Sequence, residues 1–186
     1  TTTVPPTVAP STPRTPRVPA VPRSAEPETF AQGVASTLFA WDTASGLWPL
    51  DYTSAILAVG DPSGDEQAGL ASDVAVYLPT RDAWVELRQY ATRQHLTIDA
   101  AYVPDAWAEA VAQAQPGQLA GGTAAITIEG TRHRAGVWNG QPVTSEHPVA
   151  FTVFVVCAPT YPTCHLLRLS QLDNPLREPG TLDATL

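Results

Sequence analysis

The spacing of apolar residues changes once along this chain, and that change restricts the fold more than any other feature of the sequence. From residue 28 to about residue 91 the apolar positions repeat with helical spacing, and Phe30, Val34, Leu38 and Trp41 form the first such stripe. From residue 96 onward apolar and polar positions alternate, as in a half-buried strand. Helices followed by antiparallel strands are typical of an α+β domain whose helices cover one face of the sheet.

Turn signals divide the helical part into segments. The first stripe is predicted to form a helix that starts near Glu28 and ends before Gly46. Thr80 is a plausible N-cap for a later helix, and a short helix is expected between Pro104 and Gly117. The apolar residues of the later segments are Trp48–Val59, then Leu70, Val74, Tyr77 and Leu78, then Trp84, Leu87 and Ala91, and finally Trp107, Ala110, Val111 and Ala114.

Four strands are predicted, and hairpin-like turns join the last three. Asn139-Gly140 is a strong signal for a two-residue turn between the second and third strands. Gly130 is predicted to mark a bulge that returns Val137 to the core. The strands and their inward residues are Leu96, Ile98, Ala100 and Tyr102; 123–138 with Ile126 and Ile128; the fully apolar Val149–Val156; and His165–Leu172 with Leu167 and Leu169 inward and Arg168 outward.

The chain is predicted to have one folded domain with a segment on each side. Residues 1–27 hold eight of the 19 prolines and no aromatic residue, which favours an extended, polyproline-like linker. The alternatives for this segment are an unstructured end and a Pro-x-x-Pro recognition peptide. Residues 28–175 are predicted to form a single α+β domain, and 176–186 a C-terminal tail.

The net charge changes sign between the predicted linker and the predicted domain. Residues 1–27 carry a net charge of +2, whereas residues 28–186 carry −10. An acidic domain repels phosphate backbones, because nucleic-acid affinity is built largely on Lys and Arg contacts. Direct binding to nucleic acid is therefore not expected.

The chain contains no methionine, so it is expected to be a piece of a longer protein. No stretch of it approaches the ~20 apolar residues that a membrane-spanning helix needs.

The two cysteines, Cys157 and Cys164, flank a six-residue loop that contains two prolines. A simple hairpin register sets them opposite each other at the separation that a disulfide requires. A disulfide would place the domain outside the cytoplasm. The alternatives are two free thiols and a metal site that also uses His165, but the spacing is not that of a zinc pair.

No group of residues has the spacing of a catalytic or cofactor site, and none is predicted to bind a cofactor or a metal. The serines lack a nucleophile-elbow motif, and the acidic cluster Asp61, Asp65 and Glu66 lacks the ligand alternation of a calcium loop. Arg132-His133-Arg134 resembles an anion site, but on a strand the two arginines share one face and His133 points to the other.

Three segments of the chain resemble actinobacterial conjugation proteins of the TcpC-like family, which is similar to the VirB-eight-type assembly factors of type IV secretion systems. The resemblance implies a nuclear-transport-factor-two-like (cystatin-like) fold, in which helices pack on a curved antiparallel sheet of about four strands. It also implies a membrane-anchored scaffold with a short cytoplasmic start, one spanning helix that this chain lacks, and this domain on the extracytoplasmic side of the membrane. Such a scaffold binds other channel subunits and self-associates, often as a trimer. The segments are Phe30–Asp42 (FAQGVASTLFAWD), Gly69–Leu96 (GLASDVAVYLPTRDAWVELRQYATRQHL) and Ala150–Leu172 (AFTVFVVCAPTYPTCHLLRLSQL).

The leading functional hypothesis is therefore a non-catalytic assembly component of a conjugative DNA-transfer apparatus. One alternative is a small isomerase- or cyclase-like enzyme of the same fold, for which Asp42, Asp99 or His133 would transfer the proton. A secreted ligand-binding domain is the other. The alternatives require an open cavity between helices and sheet, whereas a scaffold is expected to fill that space with Trp and Leu.

Overall fold

The computed structural model describes residues 15–177, which form α1 (Pro27–Phe39), β1 (Trp41–Asp42), α2 (Pro49–Leu57), α3 (Gln67–Tyr77), α4 (Arg81–Arg88), β2 (Arg93–Tyr102), α5 (Ala106–Gln113), β3 (Thr123–Trp138), β4 (Gln141–Val156) and β5 (His165–Leu169). The strands make one curved antiparallel sheet in the order β1–β2–β3–β4–β5. The predicted α+β class is confirmed, with five strands instead of about four. No helix within the described range is long and apolar enough to cross a bilayer.

The first helix ends earlier than its apolar stripe suggests. Phe30, Val34 and Leu38 are buried on one side of α1 as predicted, but the helix stops at Phe39. Trp41 instead lies in the two-residue strand β1, where it pairs with Gln94. This strand was missed because Trp41 also continues the helical spacing.

Thr80 caps α4 as predicted, since its side-chain oxygen accepts a hydrogen bond from the Ala83 backbone N–H. The predicted face of α5 is only partly correct. Ala106 is buried and Trp107 packs near Phe154, but Val111 is exposed. Because Phe154 alternates with the core residues Val153 and Val155 of β4, α5 packs against the face of the sheet opposite to the core, and Ala106 is its one buried residue.

The predicted bulge exists, but it lies in the neighbouring strand. The β2–β3 register shifts between Ile98 and Ala100, opposite Gly130, whereas β3 and β4 pair without a shift. The extra residue, Asp99, reverses the alternation of β2 beyond it. Ala101 therefore packs against the core, and the prediction that Tyr102 points inward is wrong.

The long β3–β4 hairpin turns at Asn139-Gly140, as predicted. Both residues have positive φ, 49° and 75°, which is the geometry of a two-residue turn matched to strand twist. Because β3 contains no bulge, Val137 stays on the face of the strand opposite to Ile126 and Ile128, and it is exposed instead of returning to the core.

The core lies between α1–α4 and the inner face of the sheet. Val18 and Val21, within the segment predicted as a linker, also belong to this core, while residues 1–14 lie outside the described part of the chain. The largest fully buried side chains are Trp41, Trp84, Phe30, Phe151, Leu38, Ile56, Leu70, Ile126, Ile128 and Leu166.

A second bulge changes the inward face of β5. The β4–β5 register shifts so that Leu166 and Leu169 are buried, and the prediction that Leu167 points inward is wrong. Arg168 does not point to open solvent either, because Asp73 of α3 accepts hydrogen bonds from its Nε at 2.6 Å and its Nη2 at 2.9 Å. The Asp73 hydrogen bonds raise the pKa of Arg168, against the opposing effect of partial burial.

We expect Asp73→Ala to lower the free energy of unfolding by about 2 kcal/mol, because Asp73 also accepts the backbone N–H of Leu169 at 3.0 Å. Glu66→Ala is the matched control, since Glu66 meets the same guanidinium at 3.3 Å from an exposed position. It should cost less than about 0.5 kcal/mol. Urea unfolding of both variants measures the difference, and equal losses would show that α3 is not held to β5 through Asp73.

Candidate interaction surface

Cys157 and Cys164 form a disulfide, as predicted. It closes the loop between β4 and β5, and both residues are buried. The backbone N–H of Cys164 donates to the carbonyl oxygen of Ser24 at 2.8 Å, which ties this loop to the segment before α1. Its position within the packed body indicates a structural role.

The structure does not bring the alternative catalytic residues together. Asp42 accepts the Ala44 backbone N–H at 2.7 Å, which is a local turn contact. Asp99 lies exposed at the β2 bulge, and His133 lies on the outer face of the sheet. None of the three projects into a space between the helices and the sheet.

That space is filled by aromatic side chains. The Trp84 ring lies 5.4 Å from Trp41 and 5.5 Å from Tyr52, measured between centroids. Phe39 stacks on Phe151 at 5.4 Å. Within the described residues, a pocket of ≈ 230 Å³ reaches the core at Leu70 and Leu166, but neither this pocket nor the larger surface grooves are lined by the aromatic cluster.

Exposed aromatic, apolar and cationic groups gather instead on the inner face of the distal β3–β4 hairpin. Trp138 is 51% exposed and stacks on Tyr90 with 4.9 Å between ring centroids. Together with Arg134 and Val143 these residues line a shallow groove of ≈ 390 Å³, here called the Arg–Trp groove. The groove exists because β3 and β4 extend beyond the last residue pair of β2 with β3, Arg93 with Ala135.

Arg134 is held in place at the base of the Arg–Trp groove. Its Nε donates to Gln94 Oε1 at 2.8 Å, and its guanidinium carbon lies 5.4 Å from the Trp41 ring centroid. Burial lowers the pKa of Arg134, and the like charge of Arg132 adds to this effect. Within residues 15–177 neither arginine has a carboxylate within ion-pair distance, so their charge is available to a partner.

The outer face of the sheet carries a histidine pair where β3 meets β2. His95 and His133 stack with 4.7 Å between centroids, and His133 lies 3.0 Å from Glu146 Oε1 and 3.0 Å from Thr97 Oγ1. The predicted separation of His133 from Arg132 and Arg134 is confirmed. No set of three His, Cys, Asp or Glu residues in the described range is arranged to hold a metal ion.

Sequence reasoning assigned the tryptophans to the core and so missed Trp138. Trp41 and Trp84 do fill the interior, but Trp138 lies at the end of β3, which is longer than its neighbour β2. Its position directly before the Asn139-Gly140 turn is the signal that indicates exposure.

Comparisons of this chain with protein-family models, with curated proteins and with solved structures give no match. The resemblance to TcpC-like proteins is therefore a hypothesis, to be weighed with the geometry above.

Proposed function

We propose that this chain is a non-catalytic assembly component of a conjugative DNA-transfer apparatus, and that it works as the extracytoplasmic domain of a membrane-anchored, TcpC-like protein. The observation that carries the proposal is the contrast between a filled interior and an exposed hairpin. Trp84 and its neighbours occupy the space that an enzyme of this fold would need, while Trp138 and Val143 are left open to a partner.

The architecture also supports a nuclear-transport-factor-two-like (cystatin-like) fold. In this proposal α1–α4 are the helices that cover the concave side of the curved sheet, and the hairpin of β3 and β4 is its longest element. The disulfide supports an extracytoplasmic location, since such bonds persist in oxidising compartments.

The chemistry of the Arg–Trp groove suggests which partners it suits. Trp and Arg are the residues most enriched among interface hot spots, because each combines a large contact area with a polar or charged group. Among residues 15–177, Arg132 and Arg134 have no ion-pair partner, in a chain whose net charge is −8. Another channel subunit with an acidic, partly apolar surface would complement this groove.

We expect Trp138→Ala to lower the frequency of conjugative transfer about tenfold or more, because truncating a hot-spot tryptophan removes much of an interface's binding energy. The assay deletes the gene from the mobile element that carries it and restores it in full length as wild type or variant. Val76→Ala is the control, because Val76 is also an exposed apolar residue (61%, against 51% for Trp138) but lies on α3, away from the hairpin.

A deletion that leaves transfer unchanged would contradict the proposed function. Asp99→Asn addresses the enzymatic alternative in the same assay. We expect it to restore transfer fully, because Asp99 is exposed and touches no cavity of the interior. A loss of transfer with Asp99→Asn and none with Trp138→Ala would favour catalysis instead.

A further inference from the structure

Half of β4 has an open edge within the described part of the chain. On one side β4 pairs with β3 along its whole length, but on the other side β5 reaches only residues 153–156. The segment after β5 covers two more residues of this edge, because the backbone N–H groups of Ser170 and Asp173 donate to the carbonyl oxygens of Thr152 and Ala150. Within residues 15–177, no backbone hydrogen bond is made to residues 141–149 on this side, although Asp173 and Arg177 lie near Pro148 and Val149.

The contacts of Ala150 and Thr152 show which backbone groups face this edge. The Ala150 N–H donates to Asp173 Oδ1 at 3.2 Å, and the Thr152 N–H donates to Ser170 Oγ at 2.9 Å. Because successive residues of a strand alternate, the N–H groups of Thr144 and Glu146 point the same way. The two other positions of this row are Pro142 and Pro148, which have no N–H to donate.

We propose that this edge pairs antiparallel with the same edge of a second copy of the chain, about a two-fold axis through Ser145. In that register Thr144 faces the partner's Glu146 and Glu146 faces the partner's Thr144. Each facing pair exchanges two backbone hydrogen bonds, so the two copies share four. The pairing covers the open β4 edge of each copy. The assembly therefore stops at a dimer, as expected for an isologous contact.

Other registers fit less well. If the two-fold axis passes through Glu146 instead of Ser145, Glu146 lies directly opposite the partner's Glu146, and this pairing of like charges is destabilising. It also brings Pro142 against the partner's Ala150, whose outward groups are already bonded to Asp173. If the axis passes through Thr144, Pro148 faces the partner's Gly140, which lies in the turn. Only the register centred on Ser145 therefore uses the whole free edge.

Charge opposes a second copy less at this place than at the acidic surfaces of the domain. The body is acidic overall, but residues 130–145 contain Arg132 and Arg134 and no acidic residue. Glu146, the one acid in the paired stretch, already has His133 beside it at 3.0 Å. Two copies that meet here therefore keep their acidic surfaces apart.

The first test compares Thr144→Pro with Thr144→Ala by analytical ultracentrifugation of the whole chain. Proline removes the Thr144 N–H from both copies and hence two of the four hydrogen bonds, whereas alanine keeps them. We expect the dimer dissociation constant to rise about 30-fold with proline and to stay near the wild-type value with alanine. Equal dissociation constants for the two variants would overturn the proposal, as would a wild-type chain that stays monomeric at high concentration.

The second test uses Ser145→Cys, which places two thiols across the proposed axis. Facing residues of this kind have Cα atoms close enough for a disulfide, and both native cysteines are already bonded to each other. Mild oxidation should give a covalent dimer, whereas Ser72→Cys, exposed on α3, should give none above the level expected from collision. Equal yields from the two variants would reject the Ser145 register.

This inference rests on the proposed scaffold function, because it names the surface through which the scaffold self-associates. The two can fail separately. If the chain is monomeric but still supports transfer, the β4 pairing is wrong and the assembly role stands. If the chain forms a stable dimer but its gene is dispensable for transfer, the assembly role is wrong and the β4 pairing stands.

Discussion

Replacing Trp84 by alanine should lower the free energy of unfolding by about 4 kcal/mol, the range found for large aromatic side chains removed from a core. Trp84 is 0% exposed and is the single buried residue of α4. Its ring packs against Trp41 and Tyr52, which belong to β1 and α2. The substitution therefore leaves a cavity where three elements meet.

Trp84→Phe separates the loss of volume from the loss of the indole. The Trp84 Nε1 atom is buried and has no hydrogen-bond partner in the structure. Phenylalanine keeps an aromatic ring and removes this unsatisfied donor, so we expect a cost of less than about 1.5 kcal/mol. Trp138→Ala, on the exposed hairpin, should cost less than about 1 kcal/mol.

Urea unfolding of the three variants measures these differences, and hydrogen exchange in α4 locates them. Two further contacts hold α4, since Arg88 donates to the carbonyl oxygens of Thr43 at 3.0 Å and Leu47 at 3.2 Å. If Trp84→Ala costs less than about 2 kcal/mol, these polar contacts and not the aromatic cluster fix α4 to the body.

Much of the fold was predictable because local signals agree with the final packing. The α1 stripe of Phe30, Val34 and Leu38, the Thr80 cap and the Asn139-Gly140 turn each depend on neighbouring residues alone. The disulfide was predictable because its two cysteines flank a short loop whose ends must meet.

The wrong predictions concern residues whose position depends on a strand that is distant in the sequence. Gly130 indicated a bulge, but the sequence does not tell which of two paired strands receives the extra residue, and β2 received it at Asp99. One inserted residue reverses every later side chain, which is why Tyr102 was misplaced. Leu167 was misplaced because it is itself the extra residue of the bulge in β5. The two-residue strand β1 exists only through its pairing with β2.

The candidate interaction surface was less predictable than the fold. An exposed tryptophan looks like a core tryptophan in sequence, and only the lengths of β2 and β3 show that Trp138 lies beyond the covered part of the sheet. The free edge of β4 likewise depends on where β5 ends. Pro142 and Pro148 were the available signals, because proline within a strand indicates an edge.

Removing the disulfide should lower the free energy of unfolding by about 2–3 kcal/mol, because the bond closes a short loop and restricts the unfolded chain. Cys157→Ala/Cys164→Ala is the preferred variant, since both positions are buried and alanine introduces no polar group. Urea unfolding of the wild type under reducing conditions should give the same loss.

The double variant is its own control, because a reductant should not change its stability further. The loop also depends on polar contacts, since Tyr161 donates to Asp61 Oδ1 at 2.7 Å and Thr160 donates to the Gly121 carbonyl oxygen at 2.6 Å. If these contacts alone order the loop, full reduction, checked by mass spectrometry, will leave the wild-type stability unchanged. A loss of the expected size would instead mean that the domain reaches its full stability only in an oxidising compartment, as the proposed extracytoplasmic location requires.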